Sequence, residues 1–429
     1  MRRTYFVAIF LLLFSATNAQ QTYTLQQCID LALENNRQVK QQSLSKQERD
    51  IAYRQARQNL LPNLNASAGQ SFSFGRSKDA SDTYQSSNSS STSFGISSSL
   101  TLFDGLRMKY NIDTRRAEKY ASESDLEKVK TDITLSVNTA FLQVLMNKEL
   151  LKIAENQLSL TGEMFTQRQK LIDNGKLAEG DILELQAQQS KEELSRIQAE
   201  NALKLSLLDL AQIVEIDDYQ NFDVRAEVSL DGNLGGLEDI YEQALQTRPE
   251  IKSANYRLQS NEKNVSIARS AYFPTLTLGA SLGTNYYNLQ NLPTDPFGTQ
   301  LSDNMNASVG LNLSIPIFNR FDTRNNVATA KLSVESSRLA LENTKKELYK
   351  NIQQAQQNAL SAKARWEAAD KSAKAMQEAY RYAEQKYNAG RASQYELFQA
   401  KNNLAQALSE ETQAQFEYAF RVRILELFL

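Results

Sequence analysis

Apolar residues recur along this chain with two periods, and the switch between them happens more than once. From about Leu25 to Leu60 the spacing is helical, and Pro62 cannot continue it. Period two follows. Leu64, Ala66, Ala68, Phe72 and Phe74 alternate with Asn63, Asn65, Ser67, Gly69, Ser71 and Ser73, with Gln70 as the one polar residue on the apolar side. Phe94, Ile96, Leu100 and Leu102 likewise alternate with Ser93, Gly95, Ser97, Ser99 and Thr101. A helical pattern resumes at about Leu106 and runs to Asp173, with Val137, Val144, Leu151, Leu158, Phe165 and Ile172 at the seven-residue spacing of a coiled-coil seam. Gly175 and Gly180 bracket a break, and the helix expected from about Asp181 to Ile213 runs back beside the first. Glycine supplies the left-handed backbone that ends a helix, so the pattern predicts a tight α-hairpin.

The whole series then repeats. At an offset of 212, Leu25 meets Leu237, Ala32-Leu33 meets Ala244-Leu245, Val39 meets Ile251 and Pro62 meets Pro274; three inserted residues later, at 215, Phe103 meets Phe318, Lys130 meets Lys345, Ala140 meets Ala355 and Gly175 meets Gly390. Duplication of one long unit predicts repeat 1 over about 25–215 and repeat 2 over about 237–429, joined by a linker at 216–236. In the linker Tyr219 to Leu230 is expected to hold a short strand, and Gly232, Gly235 and Gly236 the hinge. The second first-helix, Leu237 to Tyr272, is expected to break near Pro249. The second strand pair carries Leu276, Leu278, Ala280, Leu282 and Tyr286, then Val309, Leu311, Leu313 and Ile315 on its apolar side. From Phe321 to Tyr387 there is neither Gly nor Pro. A helix of about 65 residues would extend roughly 100 Å. Its seam runs through Val327, Val334, Leu341, Leu348, Ala355, Ala362, Ala369, Met376 and Ala383, joined by Ile352, Ala359, Trp366, Ala373, Tyr380 and Tyr387, with Trp366 and Tyr380 read as packing. Gly390 marks the second break and a returning helix follows from Tyr395 to Leu427. The β-hairpins thus fall at about 63–104 and 275–318, and the α-hairpin tips at about 174–181 and 388–396.

Alternating strands suit either a half-buried sheet or a wall between lipid and water. Segments of about ten residues match a tilted strand crossing a bilayer, and the tips Ser77 to Ser93 and Asn288 to Asn304 are long and polar. Met1 to Ala19 has the basic start, apolar run and small-residue end of a cleavable secretory signal, which places the mature start at Gln20. Four strands leave open edges that hydrocarbon does not tolerate, so several chains are expected to share one barrel. Removing Arg2 and Arg3 changes Lys+Arg from 48 to 46 against 50 Asp+Glu, moving the net charge from −2 to −4, a balance that argues against nucleic acid as a partner. The chain has no His. Neither a nucleophile-base constellation, a phosphate loop nor a metal cluster is visible, so no catalysis and no cofactor is expected. Cys28, inside a helical pattern, reads as a buried residue and not a lipidation site.

Two repeats of helix, β-hairpin and long α-hairpin behind a signal peptide resemble the TolC family of outer-membrane efflux proteins. Ala32-Leu33 with Asn35 and Asn36, Ala244-Leu245 with Arg248-Pro249-Glu250, the Ala-Arg…Pro-x-Leu approaches to both β-hairpins, and the segments Asn174-Gly175…Asp181 and Tyr387-Asn388-Ala389-Gly390 carry the resemblance. It implies a mixed, mostly α membrane protein: a homotrimer with a twelve-stranded transmembrane β-barrel, four strands per chain, continued by a long coiled-coil barrel across the periplasm. It implies an exit duct of a tripartite efflux or type I secretion system, meeting a periplasmic membrane-fusion adaptor and an inner-membrane pump. The tips Gly175, Lys176, Leu177, Gly390, Arg391 and Ala392 would contact the adaptor, and Asp181, Tyr387 and Glu396 would form a periplasmic gate. Gln399 stands where a second acid can occur, and Ala392 where a gating arginine can, with Arg391 one place earlier. Asp181 and Glu396 also read as helix N-terminal acids favoured by the macrodipole. A secreted coiled-coil fibre or adhesin is the alternative; the duplicated amphipathic hairpin speaks against it.

Overall fold

A computed structural model describes residues 21–78, 82–86, 88–176, 178–217, 219–225, 235–289 and 293–428. The predicted signal peptide, Leu177 and linker residues 226–234 lie outside them. In chain order the elements are β1 (Gln21–Tyr23), α1 (Leu25–Asn35), α2 (Arg37–Gln58), β2 (Asn65–Ser73), β3 (Arg76–Lys78), β4 (Tyr84–Ser86), β5 (Ser89–Phe103), α3 (Arg107–Asp173), α4 (Leu183–Val214), β6 (Phe222–Val224), α5 (Leu237–Thr247), α6 (Pro249–Ser270), β7 (Thr275–Leu289), α7 (Phe297–Asp303), β8 (Asn306–Ser314), α8 (Asp322–Asn388) and α9 (Gln394–Glu426). Both long helices, α3 and α8, run 67 residues. Among the described residues no helix is long and apolar enough to cross a membrane.

The expected first helix is two helices. Asn36 leaves the helical region at φ −59°, ψ 132°, and its repeat-mate Arg248 does so at φ −65°, ψ 128°. At Arg248 the cause is Pro249, whose ring forbids a helical predecessor. At Asn36 a side chain does the same work: Oδ1 accepts from Gln38 N at 2.9 Å and Nδ2 donates to Ile213 O at 3.2 Å. This local bond competes with helix continuation, which periodicity does not register. Of the expected linker strand, residues 226–230 lie outside the described residues; within 219–225 it is β6, which pairs in parallel with β1. Lys148 Nζ holds it by donating to Val224 O at 2.6 Å.

The chain divides into two compact units. One comprises residues 21–44, 125–251 and 344–428, and two of its core clusters are built from equivalent positions of the repeats. Cys28, Ala32, Val39, Ile133, Val137 and Leu210 are buried in the first; Ile240, Ala244, Ile251, Leu348, Ile352 and Leu425 are buried in the second. Each Val, Leu or Ile among them contributes about 1.5–3 kcal/mol when removed from water. Cys28 therefore occupies the place of Ile240. Burial pushes its thiol up to about 12, the behaviour of a small apolar group. The seam of α8 is borne out: every seam position from Val327 to Tyr387 is buried or half-buried.

The other unit, residues 45–124 and 252–343, holds a four-stranded antiparallel sheet in the order β2-β5-β7-β8. Its register lines up the apolar residues in rows, Ala66–Ile96–Leu282–Ala307 and Leu100–Leu278–Leu311, and the small polar ones in others, Asn65–Ser97–Ser281–Ser308 and Ser67–Gly95–Gly283–Asn306. A register shift between Thr101 and Phe103 sets Phe103 opposite Leu276. A bulge of this kind bends a strand where it leaves the sheet. Among the described residues of the polar tips, β3 pairs with β4 in the first and α7 lies in the second. Each strand then turns into its long helix through two consecutive left-handed residues, Gly105 and Leu106 in repeat 1, Arg320 and Phe321 in repeat 2.

Candidate functional site

Both α-hairpin tips are built the same way. Gly175 has φ +68° and Gly390 φ +69°. Gly175 N donates to Ile172 O at 2.7 Å and Lys176 N to Leu171 O at 2.9 Å; Gly390 N donates to Tyr387 O at 2.9 Å and Arg391 N to Lys386 O at 2.8 Å. These two-bond closures satisfy the last carbonyls of α3 and α8 and require the left-handed residue. Gly175, Lys176, Gly390 and Arg391 are exposed and Ala392 is half-buried.

The returning helices start differently. Ser393 caps α9: its Oγ accepts from Glu396 N at 3.2 Å, while Ser393 N donates to Glu396 Oε2 at 3.3 Å. This reciprocal box satisfies two free helix donors, so Glu396 has a local structural role, and its carboxylate also complements the helix dipole. Asp181 lies in a single 3-10 turn, Glu179–Ile182, ahead of α4, and the cap residue Ala178 makes no side-chain cap bond.

Tyr387, in the last turn of α8, is bound to the other hairpin. Arg168 on α3 donates to its hydroxyl from Nε at 3.1 Å and also from Nη2, and the guanidinium carbon lies 5.7 Å from the ring centroid. A charged fork on a phenol oxygen above an aromatic face is a directional contact. Sequence reading singled out Tyr387 but missed Arg168. The signal was its position, three residues after Phe165 and four before Ile172, on the seam side of the helix.

A second inter-hairpin contact was missed. Lys401 on α9 is 1% exposed, and its ammonium donates to Gln157 O at 2.8 Å, to Thr161 Oγ1, and to Glu192 Oε1 at 3.0 Å. Gln157 and Thr161 belong to α3 and Glu192 to α4, so one cation on the second hairpin is bound by both helices of the first. Burial pushes the lysine's proton affinity down while Glu192 pulls it back up. Gln188 reinforces the joint, with Nε2 2.7 Å from Glu192 Oε1 and 3.2 Å from Asn402 Oδ1. Lys401 falls between Leu397/Phe398 and Leu404/Ala405, again on the apolar stripe, where a charge is a pointer to a partner.

The tip residues thus form two groups. Gly175, Lys176, Gly390 and Arg391 present exposed turns, whereas Tyr387 is bonded between hairpins and Glu396 within its own helix end. Among the described residues no group of three or more Cys, Asp or Glu is placed to hold a metal ion.

Comparison with known proteins matches the family model "Outer membrane efflux protein" twice, over residues 28–214 and 240–426, one match per repeat. The chain is similar to the "Probable outer membrane lipoprotein SilC" of Salmonella typhimurium, 24% identical over 409 residues, covering 92% of this chain and 83% of that protein. It is also similar to the "Cation efflux system protein CusC" of Escherichia coli K12, 25% identical over 417 residues, covering 93% of this chain and 84% of the relative. Among solved structures the Campylobacter jejuni CmeC outer membrane channel superposes with a TM-score of 0.79 at 20% identity, covering 94% of this chain and 85% of that one.

Proposed function

The chain belongs to the outer membrane efflux protein family, and from that premise we propose that three copies form one passive exit duct, supplied by a periplasmic adaptor and an inner-membrane pump. Efflux across the outer membrane is the activity of the family; copy number, shared barrel and tip partners are inferred. The observation that carries the inference is the sheet. One face holds Leu278, Ile96, Leu282 and Leu311 in aligned rows, and the outer strands β2 and β8 are exposed along their whole length. Strand edges are not tolerated in hydrocarbon, and closed membrane barrels begin at about eight strands. Three chains would supply twelve. The opposite face, of Ser, Gly, Asn and Thr, then lines water. A secreted fibre has no use for an apolar sheet face.

Gating is assigned to the tips. Asp181, Tyr387 and Glu396 stand beside the turns Gly175-Lys176-Leu177 and Gly390-Arg391-Ala392, which would meet the adaptor. Repeated three times around an axis, the acids would favour cations and repel anions at the constriction. The Arg168–Tyr387 contact supports a gate held by bonds between hairpins.

Reconstitution in planar lipid bilayers tests the reading. Ion conductance by a detergent-extracted trimer is expected; a monomer soluble without detergent, with its sheet folded into its own interior, refutes it. A photoreactive residue at position 175 or 390 is expected to capture the adaptor.

A further inference from the structure

We propose that Lys401 is a second, inner latch of the gate: a buried cation that clamps the returning helix of the second α-hairpin onto both helices of the first and fixes the level beyond which the tips separate. The inference rests on the reading of the tips as a gate. All three ammonium protons have acceptors, and all three acceptors lie on the other hairpin. One side chain thus ties α9 to α3 and to α4 at the same level, with Gln188–Asn402 beside it, and its loss removes both ties together. Lys401 lies seven residues beyond Gln394, the first of α9, which is about 10 Å along the helix, whereas the Arg168–Tyr387 contact adjoins the turns. The two contacts form successive layers.

Two features distinguish a latch from a structural strut. First, the internal repeat does not reproduce it: 215 positions away, Gln186 stands for Lys401 and Ala407 for Glu192, although the core around both repeats is built from matching apolar residues. Secondly, the pair stands at the edge of open space. Gln157, Gln188, Glu192 and Asn402 line a groove of about 340 Å³. An ion pair is strong where water is excluded and weakens steeply once water enters. On separation Lys401 and Glu192 both gain hydration, so the joint has two favoured arrangements, paired and dry or apart and wet, with little between them.

Single-channel recording of the intact trimer in planar bilayers tests this with Lys401→Met, Glu192→Gln, the double variant Lys401→Met/Glu192→Leu, and Tyr387→Phe. Lys401→Met strands the Glu192 carboxylate and should raise open probability roughly tenfold or more, with Glu192→Gln acting in the same direction. The double variant replaces the pair by an apolar contact and should return the channel to within about twofold of the wild type. Should Lys401→Met fail to assemble, Glu192→Gln and the double variant decide the matter. Wild-type conductance in Lys401→Met and Glu192→Gln trimers overturns the proposal. If Tyr387→Phe opens the channel in that case, the gate reading stands and only the inner latch is lost; if it does not, both are lost. A double variant as open as Lys401→Met upholds the latch and places its strength in the ammonium's bonds to Gln157 O and Thr161 Oγ1 as well as in the charge pair.

Discussion

Three glycines with nearly the same backbone angle separate two costs that a substitution usually combines. Gly105, Gly175 and Gly390 have φ of +68°, +68° and +69°. Placing a Cβ in this region costs about 1–2 kcal/mol through its clash with the following carbonyl. At Gly175 and Gly390 an added Cβ meets nothing within 4 Å, whereas at Gly105 it falls 2.7 Å from Ser270 O and 2.9 Å from Phe273 Cβ. Those neighbours are a backbone carbonyl and a first side-chain carbon, so neither can swing aside. Gly175→Ala and Gly390→Ala should each cost about 1–2 kcal/mol, and Gly105→Ala about 2–5 kcal/mol once the overpacking of 1–3 kcal/mol is added. The repeat supplies the converse: Arg320 holds φ +54° at the position equivalent to Gly105, and Arg320→Gly should stabilise the turn by about 1 kcal/mol. Urea unfolding of the detergent-solubilised protein, followed by far-ultraviolet circular dichroism, measures the junction variants, and amide exchange at residues 175 and 390 measures local opening of the tips. A cost for Gly105→Ala within about 0.5 kcal/mol of that for Gly175→Ala would refute the steric part of the argument.

The matching cores predict matching losses: Leu210 and Leu425 are 0% and 1% exposed, so Leu210→Ala and Leu425→Ala should each destabilise by about 2–5 kcal/mol, read from urea midpoints, and a tenfold disparity in unfolding constant would contradict their equivalence. Asn36→Ala removes the bonds to Gln38 N and Ile213 O; unfolding should show a loss of about 1–3 kcal/mol, since Ile213 O then loses a donor. Burial, aided by Asp370 and opposed by Lys374, raises the proton affinity of Glu411 above its ordinary value of 4.5. The folded chain then holds a proton that the unfolded chain has already released, so this group's contribution falls as pH rises from about 4.5 through the raised value. Glu411→Gln should flatten that slope in a pH series of melting curves and leave the protein more stable at neutral pH; an unchanged slope would assign the pH dependence elsewhere.

Period and punctuation made most of the fold legible. The long helices were expected from about Leu106 to Asp173 and Phe321 to Tyr387 and run Arg107–Asp173 and Asp322–Asn388, because seven-residue spacing is long enough to be unambiguous and Gly175 and Gly390 mark the only ends it needs. The strand faces were legible because one side is aliphatic and the other small and polar. What was lost depends on single side chains. The break at Asn36 comes from a carboxamide bonding its own backbone, and β1 is three residues long, too short for any period. Arg168 and Lys401 were invisible for another reason: a charged residue on an apolar stripe reads as a blemish until the opposing helix is known. Only the fold brings Tyr387 to one and Glu192, 209 positions away, to the other.

Duplication gives these departures their meaning. A chain that repeats itself tends to repeat its contacts, and the core does so from Cys28/Ile240 to Leu210/Leu425. Where the hairpins meet, agreement stops: Arg168 and Tyr387 stand opposite Ala383 and Ile172 in the repeat register, and Lys401 and Glu192 opposite Gln186 and Ala407. Within the chain these joints add charge and hydrogen bonds to the apolar contact of Phe416 with the first core cluster, while in the proposed ring the equivalent positions left for a neighbouring copy, Ala383, Ile172, Gln186 and Ala407, are apolar or neutral. In the proposed ring, two chemically different joints would alternate and would not have to open together. Directional, water-sensitive bonds fail abruptly when solvent enters, whereas apolar contacts between small side chains tolerate sliding. In a ring of this kind the sliding joints would accommodate movement of the hairpins and the polar joints would decide when it begins.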